Sequence, residues 1–153
     1  MSNSTKEVVL STENLDRLKL MLAPAAQRII ILSHTNPDGD AVGSSLAWCR
    51  ALQSMGHEVM CVVPNRYPYF LNWITGIDEV QIFKEKPEEI TAAIKQADLI
   101  FCLDFNNLSR IGELGKLIAD SAAEKIMIDH HLDYQPFADV CISHPEIAST
   151  SEL

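Results

Sequence analysis

The sequence is short of positive charge. Twelve Lys plus Arg stand against twenty-one Asp plus Glu in 153 residues, a formal net charge of −9. An extended, sequence-independent contact with duplex DNA needs a basic footprint that is missing here. Long apolar runs are missing too: no stretch approaches the roughly 18 uninterrupted apolar residues of a membrane-spanning helix. Met1–Glu7 lacks the apolar core of a secretion signal. Cysteine is sparse and scattered. Cys49, Cys61, Cys102 and Cys141 form no C-x-x-C pair, which excludes a zinc knuckle or a dithiol redox motif, and three of them lie in apolar runs that suit reduced core thiols. These absences lead us to expect a cytoplasmic protein in a reducing compartment. Neither G-x-G-x-x-G after the first apolar run nor G-x-x-x-x-G-K-[ST] occurs, which argues against phosphate binding of the dinucleotide or P-loop kind. No repeat, low-complexity tract or flexible linker divides the chain. With 47% hydrophobic residues, this length can form one domain whose core needs no disulfides.

What is present is an alternation of short apolar runs with amphipathic segments. A helix capped at Thr12 carries Leu15, Leu18 and Leu22 on one face and ends before Pro24. Ile29 to Leu32 is short, apolar and β-branched, as suits a strand buried on both faces. Ala41 to Met55 reads as a helix stopped by Gly56, followed by a strand at Val59 to Val63. Pro64 to Gly76 is irregular, and its aromatic stretch Tyr67 to Trp73 is read as packing on the core in preference to stacking on a base. Glu79 to Phe83 suits a short edge strand, and Pro87 opens a helix running to Gln96. Asp98 to Leu103 is a third apolar strand, Ser109 to Ala119 a helix, Lys125 to Ile128 a fourth strand and Ala138 to Ile142 a fifth. Buried strands alternating with helices predict an α/β fold, an open, mostly parallel sheet with helices on both faces. In such sheets ligands gather beyond the carboxyl ends of the strands.

Those ends carry the chemistry. The first strand runs into Ser33-His34-Thr35-Asn36-Pro37-Asp38-Gly39-Asp40, the third ends in Leu103-Asp104, and the fourth in Asp129-His130-His131. An unpaired charge at a partly buried strand end is costly, and a bound cation removes the cost. Each group alone has a plainer reading: Asp38 or Asp40 caps a helix, Asp104 caps a turn, His34 is a hydrogen-bonded histidine beside a helix. A calcium loop starting at Asn36 fails, because Ala41 stands where the glycine is needed and Ala47 where the closing glutamate is needed. The plainer readings must coincide three times at one edge; a metal site accounts for all three. Imidazoles and carboxylates without thiolate suit Mn²⁺, Fe²⁺, Co²⁺ or Zn²⁺ better than Ca²⁺, with Mn²⁺ first. The spacing His34-x-x-x-Asp38-x-Asp40 is short enough to serve two adjacent ions, and Asp104 has two oxygens with which to bridge them. Two cations about 3.5–4 Å apart generate hydroxide and clamp both oxygens of an in-line phosphoryl displacement. The helix that follows aims its first amides at the same place, which favours phosphate.

These motifs, in this order and at these strand ends, resemble motifs I, II and III of the DHH phosphoesterases, and among them the bacterial oligoribonuclease and pAp phosphatase group, sometimes described as exopolyphosphatase-related. The resemblance runs from about Asp16 onward. It implies a Mn²⁺-dependent phosphoesterase acting on short oligoribonucleotides or on 3′-phosphoadenosine 5′-phosphate, with metal-bound water as nucleophile. It also implies one Mn²⁺ on His34, Asp38 and Asp104 and a second on Asp40, Asp104 and His130, with Mg²⁺, Co²⁺ or Zn²⁺ as substitutes. By the same resemblance His131 sits near the substrate phosphate as electrostatic stabiliser or proton donor, and Asp129 orients a histidine or ligand. The partner is a short RNA or a nucleotide phosphate; duplex DNA and membrane are not expected, and a homodimer is compatible. Four of the twenty-one acids then belong to a site, and two divalent ions bring the formal charge from −9 to −5.

The resemblance has a boundary. The family's fourth motif, an aspartate on a later strand, and its second domain with a Gly-rich basic segment have no counterpart here. Ser143-His144-Pro145 and Ala148-Ser149-Thr150 resemble the loop after the third motif, with His144 read as solvent-exposed. Ser149-x-x-Glu152 reads as a capping box for a helix that the remaining residues are too few to sustain. The expectation is therefore that residues 1–153 are a DHH catalytic domain, incomplete at its carboxyl end and without its substrate-binding domain, that holds the second ion weakly and turns over poorly. Competing readings are hydrolysis of pyrophosphate, polyphosphate or cyclic dinucleotides, and a non-catalytic module that keeps metal or nucleotide to regulate a partner. The intact set of His and Asp argues against the module.

Overall fold

A computed structural model describes residues 10–153; Met1–Glu7, read above for a secretion signal, lies outside the described residues. In chain order the elements are α1 (Thr12–Leu22), β1 (Arg28–Leu32), α2 (Gly39–Ser54), β2 (Glu58–Val63), β3 (Gln81–Ile82), α3 (Pro87–Gln96), β4 (Leu99–Leu103), α4 (Leu114–Asp120), β5 (Glu124–Asp129) and β6 (Val140–Ser143). The strands form one sheet in the order β3-β2-β1-β4-β5-β6, every neighbouring pair parallel. The α/β fold expected from the alternation is therefore the one observed.

Strand residues alternate between two apolar layers, because successive side chains point to opposite faces. Ile29, Ile31, Cys61, Val63, Phe101 and Leu103 pack with Val42, Leu46, Cys49 and Leu52 of α2, and α1 lies against this layer through Leu18, Met21 and Leu22. Ile30, Leu32, Val62, Ile100, Cys102 and Met127 pack with Ile90 and Ile94 of α3 and with Leu114 and Ile118 of α4. Burial on both faces is what selects uninterrupted apolar strands here. The cysteines are free thiols, three buried and Cys141 half-buried. Burial pushes the Cys102 thiol well above its ordinary range, which makes it an inert core group. Among the described residues no helix is long and apolar enough to cross a membrane.

Several boundaries differ from the sequence reading, each for a local reason. Ser11, not Thr12, caps α1, its hydroxyl accepting from Asn14 N at 3.2 Å. Helix α2 starts two residues before Ala41, because Asp38 caps it by accepting from Ala41 N at 2.9 Å. The expected helix at Ser109 to Ala119 is broken: a 3₁₀ turn at Leu108–Ile111 ends at Gly112, whose φ of 58° only glycine adopts readily, and α4 begins after it. The aromatic loop divides. Tyr67 and Leu71 are buried, with Tyr67 Oη donating to Ile77 O at 3.1 Å, whereas Tyr69 and Trp73 are 84% and 80% exposed and Phe70 also faces out. Packing holds for half of that stretch only.

Parallel pairing puts every strand's carboxyl end on one edge of the sheet. The chain runs from β1 outward to β2 and β3, then crosses back to place β4 on the other side of β1. In open α/β sheets the switch point, here between β1 and β4, is where ligands gather. His34 follows β1 and Asp104 follows β4.

Candidate metal centre

The backbone is bent to deliver these side chains. After β1 the chain turns through Asn36, whose φ of 54° is unusual for a residue with a Cβ. The turn is pinned from the β2 loop: Asn65 Oδ1 accepts from Asn36 N at 2.7 Å and Asn65 Nδ2 donates to Asn36 Oδ1 at 2.9 Å. At the end of β4, Asp104 has a φ of 65° while its side chain is almost fully buried. A left-handed non-glycine residue costs about 1–3 kcal/mol, and such strain concentrates at functional sites. Its amide stays in the sheet's network, donating to Ile128 O at 3.1 Å.

Two groups of donor atoms converge, each with all its ligand atoms within 4.8 Å of one another: His34, Asp38 and Asp104, and Asp104, His130 and His131. Asp104 belongs to both. His34 Nε2 lies 3.3 Å from Asp104 Oδ2 and 3.9 Å from Asp38 Oδ1. His130 Nε2 lies 3.4 Å from Asp104 Oδ1 and 3.5 Å from Asp40 Oδ2. Each histidine has its other ring nitrogen on a backbone carbonyl: His34 Nδ1 on Thr35 O at 2.8 Å, His130 Nδ1 on Ile147 O at 3.4 Å. A carbonyl only accepts, so Nδ1 carries the proton and the lone pair of Nε2 faces the carboxylates, the orientation a metal-ligating histidine needs.

His131 sits differently. Its Nδ1 is 2.7 Å from Asp129 Oδ1, its backbone N donates to Asp129 Oδ2 at 3.0 Å, and the same Nδ1 is 4.0 Å from Asp104 Oδ1. Asp129 is fully buried, so this carboxylate needs the imidazole and amide as partners. Nδ1 is thereby engaged, and Nε2 is the ring nitrogen left to a ligand. The two imidazoles lie 4.5 Å apart, tilted by 50°.

Asp40 shows what sequence reasoning missed. Its Oδ2 accepts from Thr150 N at 2.9 Å, and its Oδ1 accepts from Ser151 N at 2.9 Å and Ser151 Oγ at 2.6 Å. Thr150 Oγ1 donates to Asp104 Oδ1 at 3.0 Å. The Ser149-x-x-Glu152 motif marks the right place with the wrong partner. A 3₁₀ turn spans Thr150–Glu152 and Ser149 Oγ meets Glu152 Oε1 at 3.4 Å, yet Ser149 caps no amide of the turn; Asp40 does. Burial raises the Asp40 carboxyl, but donation from Ser151 and Thr150 outweighs it and holds the group below its ordinary value of 3.8. His144 departs from the expected exposed loop residue: it is half-buried, with Nδ1 2.7 Å from Glu146 Oε1.

The donor set fits a divalent metal. The Nε2 atoms of His34 and His130 face carboxylate oxygens at 3.3–3.5 Å, so wherever the imidazole is neutral with its proton on Nδ1, acceptors confront acceptors. Among the described residues no Lys or Arg forms an ion pair with Asp38, Asp40, Asp104 or Asp129. A proton relieves one such contact. Hydrogen bonding to Asp104, against the opposing effect of burial and with help from Thr35 O, raises the His34 pKa above its ordinary 6.5. A cation at each convergence relieves the contacts with Asp104; Asp40 lies in neither group and faces the second through His130 Nε2 at 3.5 Å.

Comparison with known proteins covers the region that holds these residues. A family model described as DHH family, N-terminal domain, matches residues 28–153. Over 125 residues the chain is 30% identical to the bifunctional oligoribonuclease and PAP phosphatase NrnA of Thermus thermophilus, covering 82% of this chain and 34% of that protein. The crystal structure of an exopolyphosphatase-related protein from Bacteroides fragilis superposes with a TM-score of 0.92 at 43% identity, over 94% of this chain and 42% of that one. The crystal structure of exonuclease RecJ bound to manganese shares the fold at 18% identity and a TM-score of 0.55, over 94% of this chain and 36% of that one. The chain thus spans between a third and about two fifths of the length of the proteins it matches.

Proposed function

This chain belongs to the DHH family of phosphoesterases, and on that premise we propose that it hydrolyses short oligoribonucleotides and 3′-phosphoadenosine 5′-phosphate, in the cytoplasm, at the edge where β1, β4 and β5 end. The observation that carries the reading is a single buried carboxylate, Asp104, shared by two converging groups of ligand atoms. A pair of divalent cations supplies Lewis-acid charge to phosphoryl oxygens and acidifies water. His34, Asp38 and Asp104 would hold one ion, and Asp40, Asp104 and His130 the other. Mn²⁺ is the first choice for this mixed N/O set, with Mg²⁺, Co²⁺ and Zn²⁺ as substitutes, and manganese is the ion bound in the RecJ structure.

The chain's own groups then divide the remaining work. Asp129 keeps the His131 ring turned by holding Nδ1 at 2.7 Å, and His131 presents Nε2 to the phosphoryl group, stabilising its charge or passing a proton to the leaving oxygen. The first turn of α2, at the same edge, favours the phosphate. The nucleotide substrates rest on the name of the Thermus relative. The name of the Bacteroides relative favours a second reading, hydrolysis of polyphosphate or pyrophosphate. We further propose that residues 1–153 form the metal-holding part of a two-domain enzyme, that the part of the relatives beyond the matched region selects the substrate, and that this chain alone turns over slowly.

The test is a side-by-side assay with Mn²⁺ of mononucleotide release from a diribonucleotide and phosphate release from 3′-phosphoadenosine 5′-phosphate and from pyrophosphate, with Asp104→Ala as blank. Turnover of the nucleotides alone supports the first reading. Turnover of pyrophosphate alone transfers the site to the second, and bound Mn²⁺ with no turnover above the Asp104→Ala blank reduces residues 1–153 to a metal-holding part without catalysis of its own.

A further inference from the structure

Two residues at the far end of the described chain hold these carboxylates: Thr150 bonds both Asp40 and Asp104, and Ser151 bonds Asp40. Counting lone pairs shows what the grip does, since each carboxylate oxygen can accept about two hydrogen bonds. Asp40 Oδ1 accepts from both the amide and the hydroxyl of Ser151, at 2.9 and 2.6 Å, and is filled. Asp40 Oδ2 accepts from Thr150 N at 2.9 Å and lies 3.5 Å from His130 Nε2, with the Asp104 carboxyl also within reach of the Asp40 carboxyl. Asp104 Oδ1 accepts from Thr150 Oγ1 at 3.0 Å and keeps one lone pair, 3.4 Å from the same Nε2. The Thr150 hydroxyl is buried, so water cannot replace Asp104 as its acceptor. Two of these four bonds come from side-chain hydroxyls, and closing the turn at Thr150–Glu152 requires neither of them.

We propose that Thr150 and Ser151 are positioning residues for a second cation. They hold Asp40 as a one-oxygen ligand through Oδ2, and they turn the remaining lone pair of Asp104 Oδ1 onto the point that Oδ2 and His130 Nε2 already face. Without them Asp40 can rotate about its last torsion and present either oxygen, and Asp104 Oδ1 loses its aim. The inference rests on the two-ion reading of the site given above, and it assigns to the Ala148-Ser149-Thr150-Ser151 segment a task that lies outside the DHH motifs themselves.

Calorimetric titration of Mn²⁺ into the metal-free chain tests it. Wild type takes up two ions in two steps. Thr150→Val keeps the side chain's shape and its backbone N–H but loses the hydroxyl; the second step weakens about tenfold, at the low end of what outer-shell partners are worth, and the first changes by less than about twofold. Thr150→Ser restores the second step. Ser151→Ala, at an exposed position that tolerates the change, weakens the second step about threefold, the value of a single hydrogen bond, and decides the matter if the valine variant does not fold. Equal second steps in wild type and all variants overturn the proposal and leave the two-ion reading standing. Equal weakening of both steps reduces Thr150 to a packing role and also overturns it. A single step in wild type up to millimolar Mn²⁺ overturns the two-ion reading, and the proposal with it.

Discussion

The half of the centre around His34 and the half around Asp40 share Asp104, yet they are closed in different ways. His34 and Asp38 come from one loop, and every contact that fixes them apart from Asp104 is local: Thr35 O for the imidazole, Ala41 N for the carboxylate. Asp40 stands two residues further on, and its fixings come from Thr150 and Ser151, more than a hundred positions away, with His130 opposite from the end of β5. The first half is thus carried by one strand and the helix after it, with the turn between them pinned by Asn65 and Arg110 O. The second exists only when the sheet is complete through β6 and the segment beyond it has returned to α2. We expect the first half to be the tighter and more independent ion site, and the second to be conditional on the rest of the chain.

The strongest way to break this comparison is to remove what the halves share. Asp104→Asn keeps the size and tolerates the left-handed backbone, but gives up the charge and one acceptor. Both Mn²⁺ steps should weaken by about a hundredfold or more, beyond the 10–100-fold that outer-shell partners alone are worth. Calorimetry that showed one step intact would mean that Asp104 serves only one ion. Substitutions within one half come next. His34→Gln should weaken the first step by about a hundredfold and His130→Gln the second, each with a smaller effect on its neighbour. Identical losses from both variants would erase the distinction between a local and a conditional half.

How much of this could be read beforehand follows the same division. His34, Asp38, Asp104 and Asp129-His130-His131 are legible because apolar strands end in them, and an α/β sheet brings those ends to one edge. The plain and the chemical reading of Asp38 turned out to coexist: it caps α2 and lies 3.9 Å from His34 Nε2. The left-handed backbone at Asp104 and Asn36 left no mark in the sequence, since neither is a glycine. Nor did the ties from Thr150 and Ser151, whose donors are two backbone amides and two common hydroxyls carrying no pattern of their own. Gly112 was visible as a residue, but that it breaks a helix depended on α4 packing against the sheet, which a periodicity cannot report.

A smaller effect separates both halves from the group that stands beside them. Asp129 touches His131 and neither Asp40 nor His34, so Asp129→Asn should leave both Mn²⁺ steps within about twofold of wild type. Turnover should fall by about tenfold to a hundredfold, within the contribution of a positioned proton-transfer group. Steady-state rates at saturating Mn²⁺, set beside the calorimetry, check this. Lost metal affinity would place His131 among the ligands and redraw the second half around it.

The smallest effect is one of pH, and its sign distinguishes the halves. In the metal-free chain, hydrogen bonding to Asp104 keeps His34 protonated above its ordinary 6.5, in spite of burial. Its contribution to stability is therefore fully present below pH 6.5 and is lost as pH rises through the raised folded-state value. Mn²⁺ needs the same Nε2 without its proton, so first-step affinity, and the stability it confers, rises across that window. Asp40 works in the other range: its lowered value means stabilisation present above 3.8 and lost as pH falls through the folded value, so Asp40 stays charged and silent near neutrality. Urea midpoints from pH 5.5 to 8.5, taken as the difference between wild type and His34→Gln, should fall with pH in chelator and rise with pH in Mn²⁺. Two slopes of the same sign would show that proton and cation do not compete for His34 Nε2, and would remove that nitrogen from the first half of the centre.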